Sequence, residues 1–133
     1  MIDFPIVTAF TASALMVLQI GLMMAVGFKR LETNIGIGVA EHEGLHLAVR
    51  RHGNLAENAP LFLILLGLAE LSAGGSSAVL GLGAAFVAVR ISHAVGLSLG
   101  TGPNAARAIG AFGTVLCSLG ATGFLIYNLV SAS

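Results

Sequence analysis

The sequence predicts an all-α integral membrane protein whose four helices cross the bilayer up and down as a four-helix bundle. Of its 133 residues, 56% are hydrophobic and only 9% are charged, and the mean hydropathy is +0.96. Soluble domains usually carry about 25% charged residues, so this chain lacks the polar residues for a water-covered surface. Its apolar residues form four runs that reach the length needed to cross a hydrocarbon core, about 20 residues.

The length predicts a single transmembrane domain, residues 1–133. The formal net charge is zero, which gives no electrostatic indication of nucleic acid or of an acidic substrate. The single cysteine, Cys117, excludes an internal disulfide and a cysteine metal site, and we expect it to be a small core residue. No metal site is predicted, because His93 has no second histidine at ligand spacing.

The first span is predicted over residues 4–28 and is followed by Lys29 and Arg30. It has no basic segment before it and is longer than the apolar region of a signal peptide, about 7–15 residues, so we interpret it as a retained span. Residues 34–44 contain three glycines among charged residues and predict an exposed loop. The second span is predicted over 45–72.

The last two spans are separated by short breaks. Residues 73–77 read Ala-Gly-Gly-Ser-Ser and predict a turn. The third span is predicted over 78–99, a Thr-Gly-Pro-Asn break covers 101–104, and the fourth span is predicted over 105–130. The glycines in these two spans predict close helix packing within a bundle or an oligomer.

Topology follows from where the basic residues fall. Lys29, Arg30, Arg50 and Arg51 flank the first loop, and Arg107 follows the third, whereas the second loop and both termini carry no lysine or arginine. Cytoplasmic loops are enriched in these residues. We therefore predict that the first and third loops face the cytoplasm and that both termini lie outside.

The most informative stretch is Arg50–Pro60, which enters the second span. Arg50, Asn54 and Glu57 share one face of a helix because they follow i, i+4, i+7 spacing. Ionisable groups inside a membrane segment indicate a functional site unless they serve packing alone. With Arg90 in the third span, they predict one polar site in the cytoplasmic half of the bilayer.

For several of these residues the sequence is consistent with two different roles. Arg50, Asn54 and Glu57 could instead fix helix packing, and His93 is equally consistent with an acid–base group or a structural histidine. Arg107 is either a cytoplasmic anchor or a cation near the reacting group. Arg90 lies well inside an apolar span and needs an anionic partner, for which Glu57 or a ligand carboxylate is the candidate.

The stretch from Arg50 to Pro60 resembles the Arg-x3-Asn-x2-Glu-x2-Pro signature of the MAPEG family, the membrane-associated proteins of eicosanoid and glutathione metabolism. Weaker resemblances are Gln19 followed by Arg30, Arg90-x2-His93-x2-Gly96, and Arg107-x2-Gly110. The resemblance implies a left-handed bundle assembled as a homotrimer, with glutathione as co-substrate bound between subunits near the cytoplasmic face. By position it implies a glutathione-binding set and two catalytic residues: Arg30, Arg50, Asn54, Glu57 and Arg90 for binding, and Arg107 and His93 for catalysis.

The resemblance also implies a function: a glutathione-dependent transferase or peroxidase that brings a lipophilic electrophile from the bilayer to a glutathione thiolate. His93 resembles bacterial members, which implies the bacterial inner membrane. Asn58, His93 and Leu97 stand where the eicosanoid synthases have tyrosines, so the binding residues match better than the catalytic ones. The alternative is a non-catalytic protein of the same fold that binds another small anion or a lipid, or serves as an assembly scaffold. A proton or ion pathway is less favoured, because no polar track continues toward the outer face.

Overall fold

A computed structural model describes residues 4–73 and 76–132 of the chain. They form four α-helices: α1 (Ile6–Thr33), α2 (Glu43–Ala73), α3 (Ser77–Ser98) and α4 (Ala105–Ser131). All four are long and apolar enough to cross a membrane, which confirms the all-α, four-span prediction. The helix α1 continues past its predicted end through Lys29 and Arg30. The turn predicted between the second and third spans contains Gly74 and Gly75, which lie outside the described residues.

Polar side chains set where the helices begin. The Oγ of Ser76 accepts a hydrogen bond from the backbone N–H of Val79 at the start of α3, and Oδ1 of Asn104 accepts from Arg107 N–H at the start of α4, at 3.4 and 2.9 Å. Such caps satisfy first-turn N–H groups that have no partner within the helix. Asn104, the last residue of the Thr-Gly-Pro-Asn break predicted from the sequence, is therefore the N-cap of α4.

The helices α3 and α4 run antiparallel and approach closely through glycines. A Cβ atom added to Gly96 would lie 2.6 Å from the Cα of Arg107, and one added to Gly110 would lie 2.5 Å from the Cα of His93. Both contacts involve main chain, so any side chain there would force the helices apart. The two glycines thereby bring the catalytic residues suggested by the resemblance, Arg107 and His93, to the same helix interface.

The apolar core lies where α2 meets the other helices. Phe62 of α2 and Phe86 of α3 are almost fully buried and stack with parallel rings. Leu66, Val79 and Cys117 pack in the same core, and Cys117 is free and buried as predicted. Large apolar side chains on the outer helix faces are exposed, as expected for surfaces that contact lipid.

Glu70 has a structural role that the sequence did not indicate. It is 6% exposed, near the end of α2, and its carboxylate accepts hydrogen bonds from Val7 N–H, Thr8 N–H and the Thr8 hydroxyl, each at 2.8 Å. The N-cap residue of α1, Pro5, makes no side-chain cap. Glu70 therefore caps α1 from a neighbouring helix, and its negative charge lies at the positive end of the α1 dipole.

Candidate functional site

A polar cavity of about 250 Å³ lies at the end of the bundle where the α3–α4 connection meets the first turns of α2. Its walls come from α2, α3, α4 and that connection: His46, Leu47, Arg50, Asn54, His93, Leu97, Thr101 and Arg107. The structure thus brings together four of the predicted site residues, which lie far apart in sequence. The sequence predicts one polar site fed by all four helices; among the described residues, α2, α3 and α4 contribute to this cavity and α1 does not.

Arg90 lies behind this cavity and is held by neutral groups. It is 2% exposed; its Nη1 donates to the Thr114 hydroxyl at 3.0 Å and its Nη2 donates to Oδ1 of Asn54. Among the described residues Arg90 forms no ion pair. The suggestion that Glu57 neutralises Arg90 is therefore wrong for the isolated chain, because the Glu57 carboxylate lies beside Arg50 instead.

The network around Arg90 fixes Asn54 at the cavity wall. Thr114 accepts from Arg90 and donates its own hydroxyl proton to the Gly110 carbonyl at 2.7 Å, so the chain of bonds runs from α2 through α3 to α4. Since Asn54 Oδ1 is occupied by Arg90, its amide N–H groups remain available as donors to a ligand.

We expect Thr114→Val to loosen this network with little change in shape. Valine is close to threonine in size but cannot hydrogen-bond, so one N–H group of the buried Arg90 guanidinium would lose its acceptor. An unsatisfied buried donor costs about 1–3 kcal/mol, which thermal unfolding in detergent would measure. Thr122→Val is the matched control, because among the described residues the Thr122 hydroxyl bonds only to the Ser118 carbonyl of its own helix. Equal losses of stability in the two variants would contradict a role for the network.

Arg50 and Glu57 form a loose ion pair at the outer side of the cavity. Their Nη1 and Oε1 atoms are 3.8 Å apart, and their side chains are 50% and 60% exposed. The two residues sit two turns apart on one face of α2, as the sequence predicted. This long contact leaves N–H groups of Arg50 and a carboxylate oxygen of Glu57 free to bind a ligand or a second copy of the chain.

Arg107 and His93 occupy the opposite wall. Nη1 of Arg107 donates to the Thr101 carbonyl at 3.1 Å, which keeps the guanidinium beside the α3–α4 connection. His93 is 7% exposed, and its Nδ1 atom is buried without a hydrogen-bond partner among the described residues. Because this nitrogen of His93 makes no hydrogen bond to the described residues, the ring is free to bind a ligand in the cavity or to exchange a proton.

Arg30 does not contribute to this cavity within one chain. Its Nη1 donates to the Ile35 and Gly38 carbonyls at 3.1 and 3.0 Å, and so it holds the α1–α2 connection. Arg51, one of the basic residues that flank the first loop, donates to the Ser98 hydroxyl at 2.6 Å. Arg30 therefore stabilises the α1–α2 connection, and Arg51 links α2 to the end of α3.

Sequence reasoning missed two polar residues of the cavity, His46 and Thr101. His46 lies one turn before Arg50 on the same face of α2, and this i, i+4 spacing was the available signal. Thr101 also donates its hydroxyl to Oε1 of Glu43 at 3.2 Å, which joins the α3–α4 connection to the start of α2. No local sequence pattern indicates that contact.

The lining determines what the cavity can bind. It contains two guanidinium groups, two imidazoles, an amide and a hydroxyl, but no carboxylate among its described residues. Arginines with free N–H groups bind carboxylates and phosphates through paired hydrogen bonds. The cavity is therefore suited to a small anion that enters at the end of the bundle.

Comparison with known proteins supports this description. Residues 8–127, most of the chain, match the MAPEG family. Neither the curated proteins nor the solved structures gave a match. With four helices able to span a bilayer and a family match over this length, the chain belongs to the MAPEG family and is an integral, multi-pass membrane protein.

Proposed function

We propose that the protein is a membrane-embedded, glutathione-dependent transferase or peroxidase that acts on lipophilic electrophiles. The single domain, residues 1–133, would lie in the bacterial inner membrane with both termini outside. The observation that carries the proposal is the cationic cavity between α2, α3 and α4, whose described lining holds Arg50, Asn54 and Arg107 and no carboxylate, in a MAPEG chain.

The chemistry of glutathione fits the groups present. Its two carboxylates suit the guanidinium groups of Arg50 and Arg107. Its ammonium group suits Glu57, whose carboxylate is 60% exposed and only loosely paired. Asn54 would add amide donors, while Arg90 would act by positioning Asn54 through the hydrogen bond between them.

A homotrimer with glutathione bound between subunits would also explain the exposure of Arg50 and Glu57. Charged groups beside a membrane-spanning segment are costly unless they face protein or water. A neighbouring copy packed against this face would cover both side chains and the open side of the cavity. It would also be the source of any Arg30 contact with glutathione, since within one chain the Arg30 side chain is hydrogen-bonded to the α1–α2 connection.

Catalysis would require the glutathione thiol as thiolate. A nearby guanidinium favours the anion, and Arg107 on the cavity wall is the candidate. In the transferase reaction the thiolate sulfur forms a bond to an electrophilic carbon while the leaving group departs with the bonding electron pair. His93 would accept the thiol proton or donate a proton to the leaving group. Holding both reactants in one orientation supplies further acceleration.

The second candidate is a non-catalytic protein that binds another small anion or a lipid headgroup, or that serves as an assembly scaffold. The observation in its favour is the composition of the lining, which contains neither tyrosine nor cysteine among its described residues. Thiolate stabilisation then depends on Arg107 and His93 alone, and Arg107 is partly engaged by the Thr101 carbonyl.

We expect glutathione to bind the purified protein in detergent. Arg50→Ala and Glu57→Ala should each weaken binding by at least about tenfold, because each variant removes one charge-assisted contact with the ligand. Titration calorimetry would measure both affinities. Lys29→Ala is the matched control, because Lys29 pairs with Glu32 and does not contribute to the cavity lining; its affinity should equal that of the wild type.

Two results would separate the candidates. No glutathione binding by a folded protein, together with binding of inorganic phosphate or of anionic lipid, would overturn the glutathione proposal and support the anion-binding alternative. Glutathione binding with neither conjugation of 1-chloro-2,4-dinitrobenzene nor reduction of a lipid hydroperoxide to its alcohol, with oxidation of glutathione to the disulfide, would leave the binding role and remove the catalytic one.

A further inference from the structure

A groove of about 390 Å³ lies on the outer surface of the bundle, where the α3–α4 connection leads into α4. Its described lining is Thr101, Pro103, Asn104, Arg107, Ala108 and Ala111. Pro103, Ala108 and Ala111 are exposed, so the groove is open on its outer side. Because α4 is a membrane span that begins here, the groove lies where the helix enters the bilayer.

Arg107 lies between this outer groove and the polar cavity and lines both of them. Among the described residues its guanidinium makes one hydrogen bond, from Nη1 to the Thr101 carbonyl at 3.1 Å, and no ion pair. A guanidinium has five N–H donors, so most of them have no partner. The outer groove therefore holds a positive charge that no described group neutralises.

The surroundings of this charge are free of carboxylates and continue into an apolar face. No carboxylate is found in the described lining of the groove. Further along α4, Phe112, Val115 and Leu119 are exposed, and with Ala108 they follow i, i+4, i+7, i+11 spacing on one side of the helix. A ligand that matches both features combines an anionic group with a long apolar chain.

We propose that the outer groove binds the phosphate of an anionic phospholipid, whose acyl chains lie along this face of α4. Arginine pairs with phosphate through two parallel hydrogen bonds, and basic pockets beside membrane helices bind anionic headgroups. Arg50 and Arg51 lie at the same end of the bundle, which disfavours the ammonium group of a zwitterionic lipid. Free phosphate carries the same charge but gains nothing from the apolar face.

The shared arginine couples the groove to the polar cavity. A phosphate paired with Arg107 in the groove neutralises its charge and occupies N–H groups that would otherwise reach a ligand in the cavity. Lipid and cavity ligand therefore weaken each other's binding, by the same factor in both directions. The coupling to glutathione rests on the proposed function, whereas the lipid site itself does not.

The first test compares phosphatidylglycerol and phosphatidylcholine with identical oleoyl chains, bound to the purified full chain in a neutral detergent. We expect phosphatidylglycerol to bind about five- to tenfold more tightly, the effect of one basic residue near an anionic headgroup. Native mass spectrometry would measure the ratio. Glycerophosphoglycerol, the same headgroup without acyl chains, should bind at least about tenfold more weakly than the lipid; equal affinity would identify free phosphate esters as the ligand and overturn the lipid proposal.

Two variants test the charge and the groove separately. Arg107→Gln removes the charge, and Ala111→Phe fills the groove without changing any residue that lines the polar cavity. Each should remove the preference for phosphatidylglycerol, and Arg107→Lys should keep part of it. Ala111→Phe should fold, because Ala111 is exposed. Arg50→Ala is the control, since Arg50 lines the polar cavity and not the groove; its lipid preference should equal that of the wild type.

Glutathione titrations in nanodiscs of each lipid test the coupling. The wild type should bind glutathione about fivefold more weakly in phosphatidylglycerol, at the low end for coupled sites, whereas Ala111→Phe should bind it equally in both lipids. A difference that persists in Ala111→Phe would come from general repulsion by the anionic surface and would overturn the coupling. Absence of glutathione binding in both lipids would overturn the proposed function, while the lipid comparison would still decide the groove.

Equal affinity of the wild type for the two lipids would overturn the lipid site. So would a preference that survives in both Arg107→Gln and Ala111→Phe, or one that is lost in Arg50→Ala, which would place the headgroup in the polar cavity. A groove covered by a second copy of the chain gives another distinct result. In that case Ala111→Phe would change the oligomeric mass measured by light scattering, the wild type would not prefer either lipid, and the proposal would be wrong.

Discussion

Gly110→Ala is expected to destabilise the protein by about 3 kcal/mol, at the upper end of the cost of overpacking. The added Cβ would lie 2.5 Å from the backbone N and Cα of His93. Because these are main-chain atoms, no side-chain rotation relieves the clash, and α4 must move away from α3. The same displacement would shift His93 and Arg107 on the cavity wall. Thermal unfolding in detergent would measure the stability loss.

The matched control is Gly123→Ala on the same helix. Apart from its chain neighbours and the nearby backbone of α4 itself, no atom lies within 4 Å of a Cβ added there, so the change should be neutral or slightly stabilising, as alanine is the better helix former. Equal stability of the Gly110 and Gly123 variants would show that α3 and α4 do not pack as described.

The sequence predicted the four spans and much of the polar site because both depend on local patterns. Span length and low charge follow directly from composition. The shared face of Arg50, Asn54 and Glu57 follows from helical periodicity, which holds whatever packs against α2. These parts of the fold do not depend on how the helices pack against each other.

The partners of Arg90 could not be predicted in this way. Apart from a few polar residues, the apolar side chains of α3 are spread around the whole helix, so its sequence does not indicate which face meets α2 and which meets α4. That rotation is set by the close contacts of Gly96 and Gly110 with the opposing backbone. It turns Arg90 toward Asn54 and Thr114, whereas charge pairing alone suggested Glu57.

The role of Glu70 could not be predicted from local patterns either, because Glu70 contacts residues more than sixty positions away in the sequence. Glu70→Ala should destabilise the protein by about 3 kcal/mol. The variant leaves two first-turn N–H groups and one hydroxyl without their acceptor, and α1 has no side-chain cap of its own. Bonds to a charged group contribute about 1.5–3 kcal/mol, and a lost cap costs about 1 kcal/mol. Thermal unfolding would measure the loss, and faster proteolysis near the N-terminus would locate it.

Glu57→Gln on the same helix is the control that separates stability from binding. Glu57 is exposed and makes one long ion pair, and exposed pairs contribute at most about 1 kcal/mol. The Glu57 variant should therefore unfold at nearly the wild-type temperature but bind glutathione weakly, whereas Glu70→Gln should lose part of the stability and keep the affinity. If the Glu70 variants were as stable as the wild type, the carboxylate would not be the cap of α1, and the packing of α1 against α2 would have to rest on apolar contacts alone.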